Sequence, residues 1–176
     1  QANGICCQKV SEAEVFFRAG ITDILITNQV CDARKISRLA GLAASGCRIS
    51  VCVDDMRNVA MLSQEARKQN TQIHCLVELD CGARRCGVSD AAQVLELAAA
   101  IDAAHCLVFE GLQAYQGSIQ HETDYGLREK VMEDVIAKVK DCRDTLAAAE
   151  LSCRVVSGGG TGTFLLTIGR GKPKSR

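Results

Sequence analysis

This sequence has few aromatic residues, a single proline and no excess of charge of either sign. Aromatic residues make up 3% of its 176 residues and tryptophan is absent, which argues against a base-stacking surface for single-stranded nucleic acid. The 21 basic and 21 acidic residues cancel, so the sequence lacks the basic footprint of a general nucleic-acid or anionic-membrane binder. No apolar run reaches the roughly 18 residues of a membrane-spanning helix, and no cleavable signal opens the chain. We therefore expect neither a nucleic-acid partner nor a membrane partner.

The remaining composition is that of a folded domain. Hydrophobic residues make up 47% and charged residues 24%, which excludes an intrinsically disordered chain. A length of 176 residues suffices for one domain with a sizeable core. The first residue is Gln1 rather than methionine, and we therefore expect a fragment or a processed product.

Cysteine is abundant, with eleven residues. An odd number excludes complete intramolecular pairing, and no Cys-x-x-Cys spacing typical of a zinc site occurs. Most of the cysteines lie inside apolar runs, as Cys52 and Cys106 do, where a free cysteine behaves as a small buried hydrophobe. This pattern favours reduced structural cysteines in a cytoplasmic protein, with a redox or metal role as the alternative.

Short apolar runs alternate with helical stretches along the chain. Ser11 and Ser89 precede acidic residues and are predicted to cap the first and fourth helices. Gly20 and Gly46 follow the first two helices and are predicted to end them. The predicted strands cover residues 4–7, 23–27, 48–53, 72–79, 107–114 and 153–157, and the predicted helices cover residues 11–19, 32–44, 55–68, 89–104 and 123–149.

Alternating strands and helices with short connections predict parallel β–α units. Such units form either an open doubly wound sheet or a (β/α)₈ barrel. No Gly-x-Gly-x-x-Gly follows the first strand, which disfavours the dinucleotide-binding sheet. Polar residues recur where several strands end, and a barrel gathers those ends at one mouth. We therefore predict an incomplete barrel, because a complete one needs about 250 residues.

A glycine-rich run, residues 157–163, follows the last predicted strand. Glycines let backbone amides approach an anion closely, and the interleaved Ser and Thr residues add uncharged donors. The run lacks the Gly-Lys-[Ser/Thr] of a Walker loop, so it suits the phosphate of a fixed cofactor better than a nucleotide triphosphate. A side chain at Gly159 is expected to enter the space that the phosphate needs. The alternative interpretation is a flexible linker.

Two further segments carry polar groups at strand ends. Residues 78–87 place two carboxylates before Arg84 and Arg85, which indicates either an arginine that binds an anionic cofactor group or a surface ion-pair cluster. Residues 113–121 carry amide and phenol groups that suit a neutral polar ligand, or they cap the next helix. His74, flanked by apolar residues, is expected to be a core or edge side chain.

Four segments in order, residues 4–14, 80–87, 113–121 and 157–162, are similar to one enzyme family. The chain resembles the fold-type III pyridoxal-phosphate enzymes, in the branch of the D-threonine aldolases and D-serine dehydratases. The resemblance implies a partial barrel of the alanine racemase N-terminal type over residues 1–164, lacking its first strand and the C-terminal β-domain. Residues 165–176 are predicted to be a divergent basic tail.

The resemblance also implies the cofactor-binding residues. Arg85 matches the arginine of the Asp-x-Gly-x-x-Arg-x-Gly motif and is expected near the phenolic oxygen of the cofactor. The glycine-rich run is expected to hold the phosphate. The full implied set is Arg85, Gln113, Tyr115, Gln120, Ser157, Gly158, Gly159, Gly160 and Thr161.

Two parts of the family pattern have no match. The Schiff-base lysine has no counterpart, since Lys9 stands too late in the chain, and it is expected upstream. The β-domain that supplies ligands for a divalent metal (Mg, Mn or Zn) is also missing. We therefore expect no lyase activity from these 176 residues alone.

The activity implied for the full-length enzyme is a pyridoxal 5'-phosphate-dependent carbon–carbon lyase. An aldolase of this kind cleaves a β-hydroxy-D-amino acid, such as 3-hydroxy-D-aspartate or D-threonine, to glycine and an aldehyde. The full-length protein is expected to be a cytoplasmic homodimer. The alternatives are a D-serine or 3-hydroxyaspartate dehydratase and a non-catalytic remnant that only binds the cofactor.

Overall fold

The computed structural model describes residues 4–168, in which six parallel strands alternate with helices. All predicted strands and helices are confirmed to within two residues at each end. The short helix Phe164–Ile168 is the one element of this region that was not predicted. The strands are β1 Ile5–Cys7, β2 Asp23–Ile26, β3 Arg48–Val53, β4 Ile73–Glu78, β5 Leu107–Ala114 and β6 Val155–Gly158; the helices are α1 Val10–Arg18, α2 Ala33–Ala44, α3 Met56–Lys68, α4 Ala91–Asp102, α5 Tyr125–Ala148 and α6 Phe164–Ile168.

The strand order separates a barrel from a doubly wound sheet. The six strands lie side by side in chain order, from β1 to β6, and every neighbouring pair is parallel. Each of helices α1 to α4 packs against the next helix along the chain, so the helices form one layer on a single face of the sheet. A doubly wound sheet places helices on both faces and reverses its strand order. The structure is therefore a half-barrel, as predicted.

The hydrophobic core lies between the outer face of the sheet and this helix layer. The central strands contribute fully buried β-branched side chains to this core, among them Ile26, Val51 and Val77. They meet apolar residues of the helices such as Leu39 and Leu62. Burial of such side chains stabilises the fold by about 1.5–3 kcal/mol each. The other face of the sheet is the inner wall of the half-barrel.

Aspartates begin four of the helices. Asp32, Asp55, Asp90 and Asp124 are the N-caps of α2 to α5, and their carboxylates accept from free amides of the first turn. The predicted cap Ser89 is one residue too early, and its hydroxyl instead donates to Asp90 at 3.0 Å.

The predicted cap Ser11 is also wrong, because Ser11 lies inside α1 and Lys9 is its N-cap. There the Glu12 carboxylate accepts from the amides of Gln8 and Lys9, at 2.8 and 3.0 Å. Gly20 and Gly46 follow the first two helices with φ of 89° and 93°, which confirms the predicted ends.

A charged network lies on the inner wall near the amino ends of the strands. Glu110, 5% exposed, sits at an irregularity between β4 and β5 where one extra residue enters β5. Its carboxylate contacts His74 Nδ1 at 2.6 Å and the Arg48 guanidinium at 3.0 Å, and Arg48 also pairs with Asp23 at 3.1 Å. His74 is thus a half-buried side chain of the barrel wall, as expected.

The predicted basic tail starts inside the described region. Residues 165–168 belong to α6, and residues 169–176 lie outside the residues that the structure describes. Within residues 4–168, no helix is both long and apolar enough to cross a bilayer.

Candidate functional site

The carboxyl ends of the strands form a mouth lined by polar groups. Glu78, Gln113 and Ser157 are register neighbours at the ends of β4, β5 and β6. Neighbours in register point to the same face of a sheet, so these three side chains share the inner wall of the half-barrel. Asp54 directly follows β3 and joins them at this edge. Active sites of barrel folds lie at this end of the strands.

The glycine-rich run lies packed against the segment that follows β5. A Cβ at Gly160 would overlap Gln120 Oε1 and would lie 3.2 Å from Cε2 of the Tyr115 ring. A Cβ at Gly158 would overlap the carbonyl oxygen of Ala114. Glycine is therefore required at both positions for close approach, and the run is not a free linker.

Gly159 needs glycine for a different reason from the one expected. Its φ of 74° lies in the left-handed region. A Cβ there would face α6, 3.3 Å from Thr167 Oγ1 and 3.9 Å from Phe164 Cα. The close approach of α6, together with the backbone angle, accounts for this glycine.

Hydrogen bonds to the side chains of Gln120 and Thr163 hold the glycine-rich run in place. Gly160 N donates to Thr163 Oγ1 at 3.1 Å, and Gly162 N donates to Gln120 Oε1 at 3.1 Å. Gln120 Nε2 donates to Thr163 Oγ1 at 3.0 Å, which joins the two contacts. Within the part of the chain that the structure describes, the amides of Gly159 and Thr161 have no hydrogen-bond partner. The amides of Gly159 and Thr161 are thus available to an anion.

Gln113 brings an unsatisfied polar atom to the inner wall. Its side chain is 6% exposed, and its Oε1 has no hydrogen-bond partner among the described residues. Buried polar atoms without a partner are rare in folded proteins, and a bound ligand is one explanation for them.

Glu78 lies beside Gln113, and its carboxyl group is half-buried near the carboxylate of Asp54. Its Oε2 accepts from Gln29 Nε2 at 2.6 Å. Burial raises the pKa of the Glu78 carboxyl, the Gln29 hydrogen bond opposes that shift, and the nearby Asp54 carboxylate adds to it. The positive charge of Arg85 acts in the lowering direction. Arg85 and Glu78 therefore influence each other across the mouth.

The loop that carries Arg85 is bound at both ends. At its start, Asp80 Oδ1 accepts from the amides of Gly82 and Arg84 at 2.9 and 3.0 Å. At its end, Gly87 N donates to Asp54 Oδ2 at 2.8 Å. These contacts hold the loop over the mouth of the half-barrel.

Two longer side chains reach the same loop from other elements. Lys138 of α5 donates from Nζ to Asp80 O at 2.7 Å. Gln116, buried after β5, donates from Nε2 to Cys81 O. The loop is therefore tied to α5 and to the segment after β5.

Arg84 and Arg85 are both exposed on this loop, and neither forms an ion pair with any described residue. The surface ion-pair cluster considered from the sequence is thus not seen. An arginine without a carboxylate partner at the mouth remains free to bind an anionic ligand group.

The structure brings the predicted site residues to one end of the half-barrel. Two contributing residues were not predicted as site residues: Gln29 donates to Glu78, and Asp54 accepts from Gly87 of the arginine loop. The position of Gln29 and Asp54 in the sequence could have identified them as site residues, because each follows a strand by one to three residues. Thr163 lies in the predicted glycine-rich run, but its contact with Gln120, 43 residues earlier, has no local signal in the sequence.

A groove of about 1090 Å³ lies on the outer face of the sheet between α5 and β6, and its lining extends to Gly158 and Gly159 of the glycine-rich run. Apolar side chains such as Val135, Val139 and Val156 line it. Lys140, Arg143 and Glu150 also line it, but none of its described lining residues has a buried polar atom without a partner, as Gln113 has at the mouth. The mouth is therefore the candidate binding site, suited to a small ligand that has an anionic group and a planar polar ring.

Comparison with known proteins supports a family assignment. Residues 1–171 match the family model described as alanine racemase, N-terminal domain. The chain is 50% identical over 161 residues to 3-hydroxy-D-aspartate aldolase from Paracoccus denitrificans (strain Pd 1222), which covers 92% of this chain and 42% of that protein. A D-threo-3-hydroxyaspartate dehydratase from Delftia sp. (strain HT23) is 28% identical over 166 residues, covering 93% of this chain and 43% of that protein.

Among solved structures, the crystal structure of D-threonine aldolase from Filomicrobium marinum superposes with a TM-score of 0.92 at 41% sequence identity. The match covers 94% of this chain and 44% of that one. The chain thus spans about two fifths of the length of the curated relatives that it matches.

Proposed function

The chain belongs to the alanine racemase N-terminal domain family, and on that basis we propose that it is the cofactor-binding half-barrel of a pyridoxal-phosphate-dependent aldolase. The substrate is a β-hydroxy-D-amino acid such as 3-hydroxy-D-aspartate or D-threonine, and the products are glycine and an aldehyde. Identity of 50% to a 3-hydroxy-D-aspartate aldolase supports this substrate class. The observation that carries the proposal is the glycine-rich run, held in place by Gln120 and Thr163 and left with the amides of Gly159 and Thr161 unpaired among the described residues.

The residues present fit the phosphate of this cofactor. A phosphate monoester needs several short donors and little steric bulk, and backbone amides in a glycine-rich turn supply both. In the proposal the amides of Gly159 and Thr161 donate to it, and Ser157 and Thr161 add hydroxyl groups. Close approach at Gly158 and Gly160 keeps the run compact, because neither position has room for a Cβ.

The residues around the mouth also fit the ring of the cofactor. Gln113 offers a buried amide whose oxygen has no other partner among the described residues. Tyr115, with its ring against Gly160, borders the same space. Arg85 places a guanidinium near Glu78 and is assigned to the phenolic oxygen. When bound, pyridoxal phosphate supplies an electron sink that lets the Cα–Cβ bond of the amino acid break.

The work proposed for this chain is binding and orientation. The glycine-rich run anchors the phosphate, and the loop of Arg85 orients the ring edge. Glu78 holds a proton more readily than an ordinary carboxyl, because burial raises its pKa. The Schiff-base lysine is proposed to lie outside this chain.

No role is assigned here to a divalent metal. Among residues 4–168, no three metal-binding side chains lie together, so this part of the protein offers no ligand set for one. The metal expected from the family is therefore left to segments beyond this chain. The eleven free thiols fit a reducing compartment, and we place the full-length homodimer in the cytoplasm.

Dehydration is the second candidate reaction, because the chain is also 28% identical to a D-threo-3-hydroxyaspartate dehydratase. Product analysis separates the two. The full-length protein is incubated with 3-hydroxy-D-aspartate and the cofactor, and glycine, glyoxylate and ammonia are quantified. Equal amounts of glycine and glyoxylate without ammonia are expected, with 3-hydroxy-L-aspartate as the unreactive control. Ammonia and a keto acid would support the dehydratase, and no product with cofactor bound would support a non-catalytic binder.

A further inference from the structure

Two side chains behind the glycine-rich run form a connected set of hydrogen bonds with its backbone. Thr163 Oγ1 accepts from Gly160 N and from Gln120 Nε2, at 3.1 and 3.0 Å. Gln120 Oε1 accepts from Gly162 N at 3.1 Å, and its Nε2 also donates to Gln116 O at 2.7 Å. We call Gln120 and Thr163, joined in this way, the Gln–Thr lock.

The lock acts from a buried position. Thr163 is 1% exposed, so its hydroxyl faces the backbone of the run rather than a ligand at the mouth. Both polar atoms of the Gln120 side chain are used by protein groups. The Gln120 amide therefore has no remaining donor for a phosphate oxygen, and the Thr163 hydroxyl is buried.

The lock also decides which amides of the run stay free. It uses the amides of Gly160 and Gly162, and it leaves the amides of Gly159 and Thr161 without a partner in the described region. An unconstrained glycine stretch samples many backbone conformations, and fixing each residue costs conformational entropy. A run that is already held in place loses less of that freedom when it binds an anion.

We infer that Gln120 and Thr163 are positioning residues that pre-organise the glycine-rich run for a phosphate monoester. The inference rests on the proposed function, since it takes the cofactor phosphate as the ligand of Gly159 and Thr161. It assigns Gln120 a role through Gly162 and Thr163 instead of a direct contact with the phosphate.

The test compares two ligands of the full-length protein, pyridoxal phosphate and pyridoxal, which lacks the phosphate. Binding is followed by the absorbance of each ligand. Thr163→Val removes the hydroxyl at nearly constant volume, and Thr163→Ser keeps it. We expect Thr163→Val to weaken binding of pyridoxal phosphate at least about tenfold, because a buried amide loses its partner. Binding of pyridoxal should change less than about twofold, and Thr163→Ser should stay within about threefold of the wild type.

A matched control separates positioning from a general loss of stability. Leu146→Ala creates a cavity in the buried part of α5, and it should leave the preference for pyridoxal phosphate over pyridoxal unchanged. If Thr163→Val weakens both ligands alike, or neither, the lock is only structural and the inference is overturned. Should Thr163→Val fail to fold, Gln120→Leu carries the same expectations.

The wild type reports separately on the proposed function. A preference for pyridoxal phosphate over pyridoxal is the result expected for any phosphate site. Equal affinity for the two ligands would overturn the phosphate site itself, whatever the variants do. A wild-type preference that Thr163→Val and Gln120→Leu both retain would overturn the lock alone.

Discussion

Replacement of Glu110 by alanine should destabilise the protein, because it removes the centre of the charged network on the inner wall. The Glu110 side chain is 5% exposed and binds His74 at 2.6 Å and Arg48 at 3.0 Å. Removing the buried Glu110 carboxylate leaves His74 Nδ1 without this partner and takes one of two carboxylates from Arg48.

The size of the loss in the free energy of unfolding follows from the contacts of Glu110 with His74 and Arg48. Two hydrogen bonds to a charged group contribute about 1.5–3 kcal/mol each, which sets an upper range of about 3–6 kcal/mol. Arg48 is 42% exposed and keeps Asp23 at 3.1 Å, so solvent screens its loss. We therefore expect Glu110→Ala to lower the free energy of unfolding by about 2–4 kcal/mol.

The assay is equilibrium unfolding of the full-length protein in urea, with Asp23→Ala as the control. Asp23 contacts the same arginine from a side chain that is 37% exposed, and its removal should cost no more than about 1 kcal/mol. Combination of Glu110→Ala with His74→Ala should give a non-additive loss, because the two residues are in contact. A cost for Glu110→Ala that equals the cost of Asp23→Ala would refute the reasoning.

Three further perturbations test other parts of the structure. Burial raises the pKa of Glu78, so the folded state favours the protonated carboxyl and loses stability as pH rises through the raised pKa. Glu78→Gln should therefore be more stable than the wild type at pH 7, and the difference should close near pH 4. The reverse order of urea midpoints at pH 7 would contradict this. A short alkylation pulse followed by peptide mass mapping should label the exposed Cys31 and spare the buried Cys75, whose thiol pKa burial raises to about 12; equal labelling would count against the fold of β4. Gly111→Ala should lower the free energy of unfolding by more than about 2 kcal/mol in the same urea assay, because φ is 145° and a Cβ would overlap the Val155 carbonyl oxygen of β6. An unchanged midpoint would show that β5 and β6 are not paired there.

Elements of the fold could be predicted wherever the signal is local. Residues 49–53 are apolar apart from Ser50 and include three β-branched residues, and such a run indicates a buried parallel strand without any tertiary information. Polar residues at the strand ends located the mouth for the same reason. Helix ends were less certain, since Ser89 and Asp90 are both good caps and one residue decides between them.

Features that depend on distant partners could not be predicted. Glu110 faces the inner wall because of an irregularity in the pairing of β4 and β5, which no pattern within β5 reveals. Thr163 gains its role from Gln120, which packs beside it only after β5 and β6 pair. Helix α6 follows a glycine-rich run and precedes a basic segment, and both neighbours are typical of loops.

The central claim is that the glycine-rich run holds the phosphate of pyridoxal phosphate, and Thr161→Val in the full-length protein tests it most directly. The change removes one hydroxyl from the run and leaves the Gln–Thr lock in place. Titration with pyridoxal phosphate should show an affinity about ten- to hundredfold weaker than that of the wild type, since a hydrogen bond to a charged acceptor contributes about 1.5–3 kcal/mol. An unchanged affinity in Thr161→Val, and also in Gly159→Val, would contradict the claim and leave the run without a role in binding.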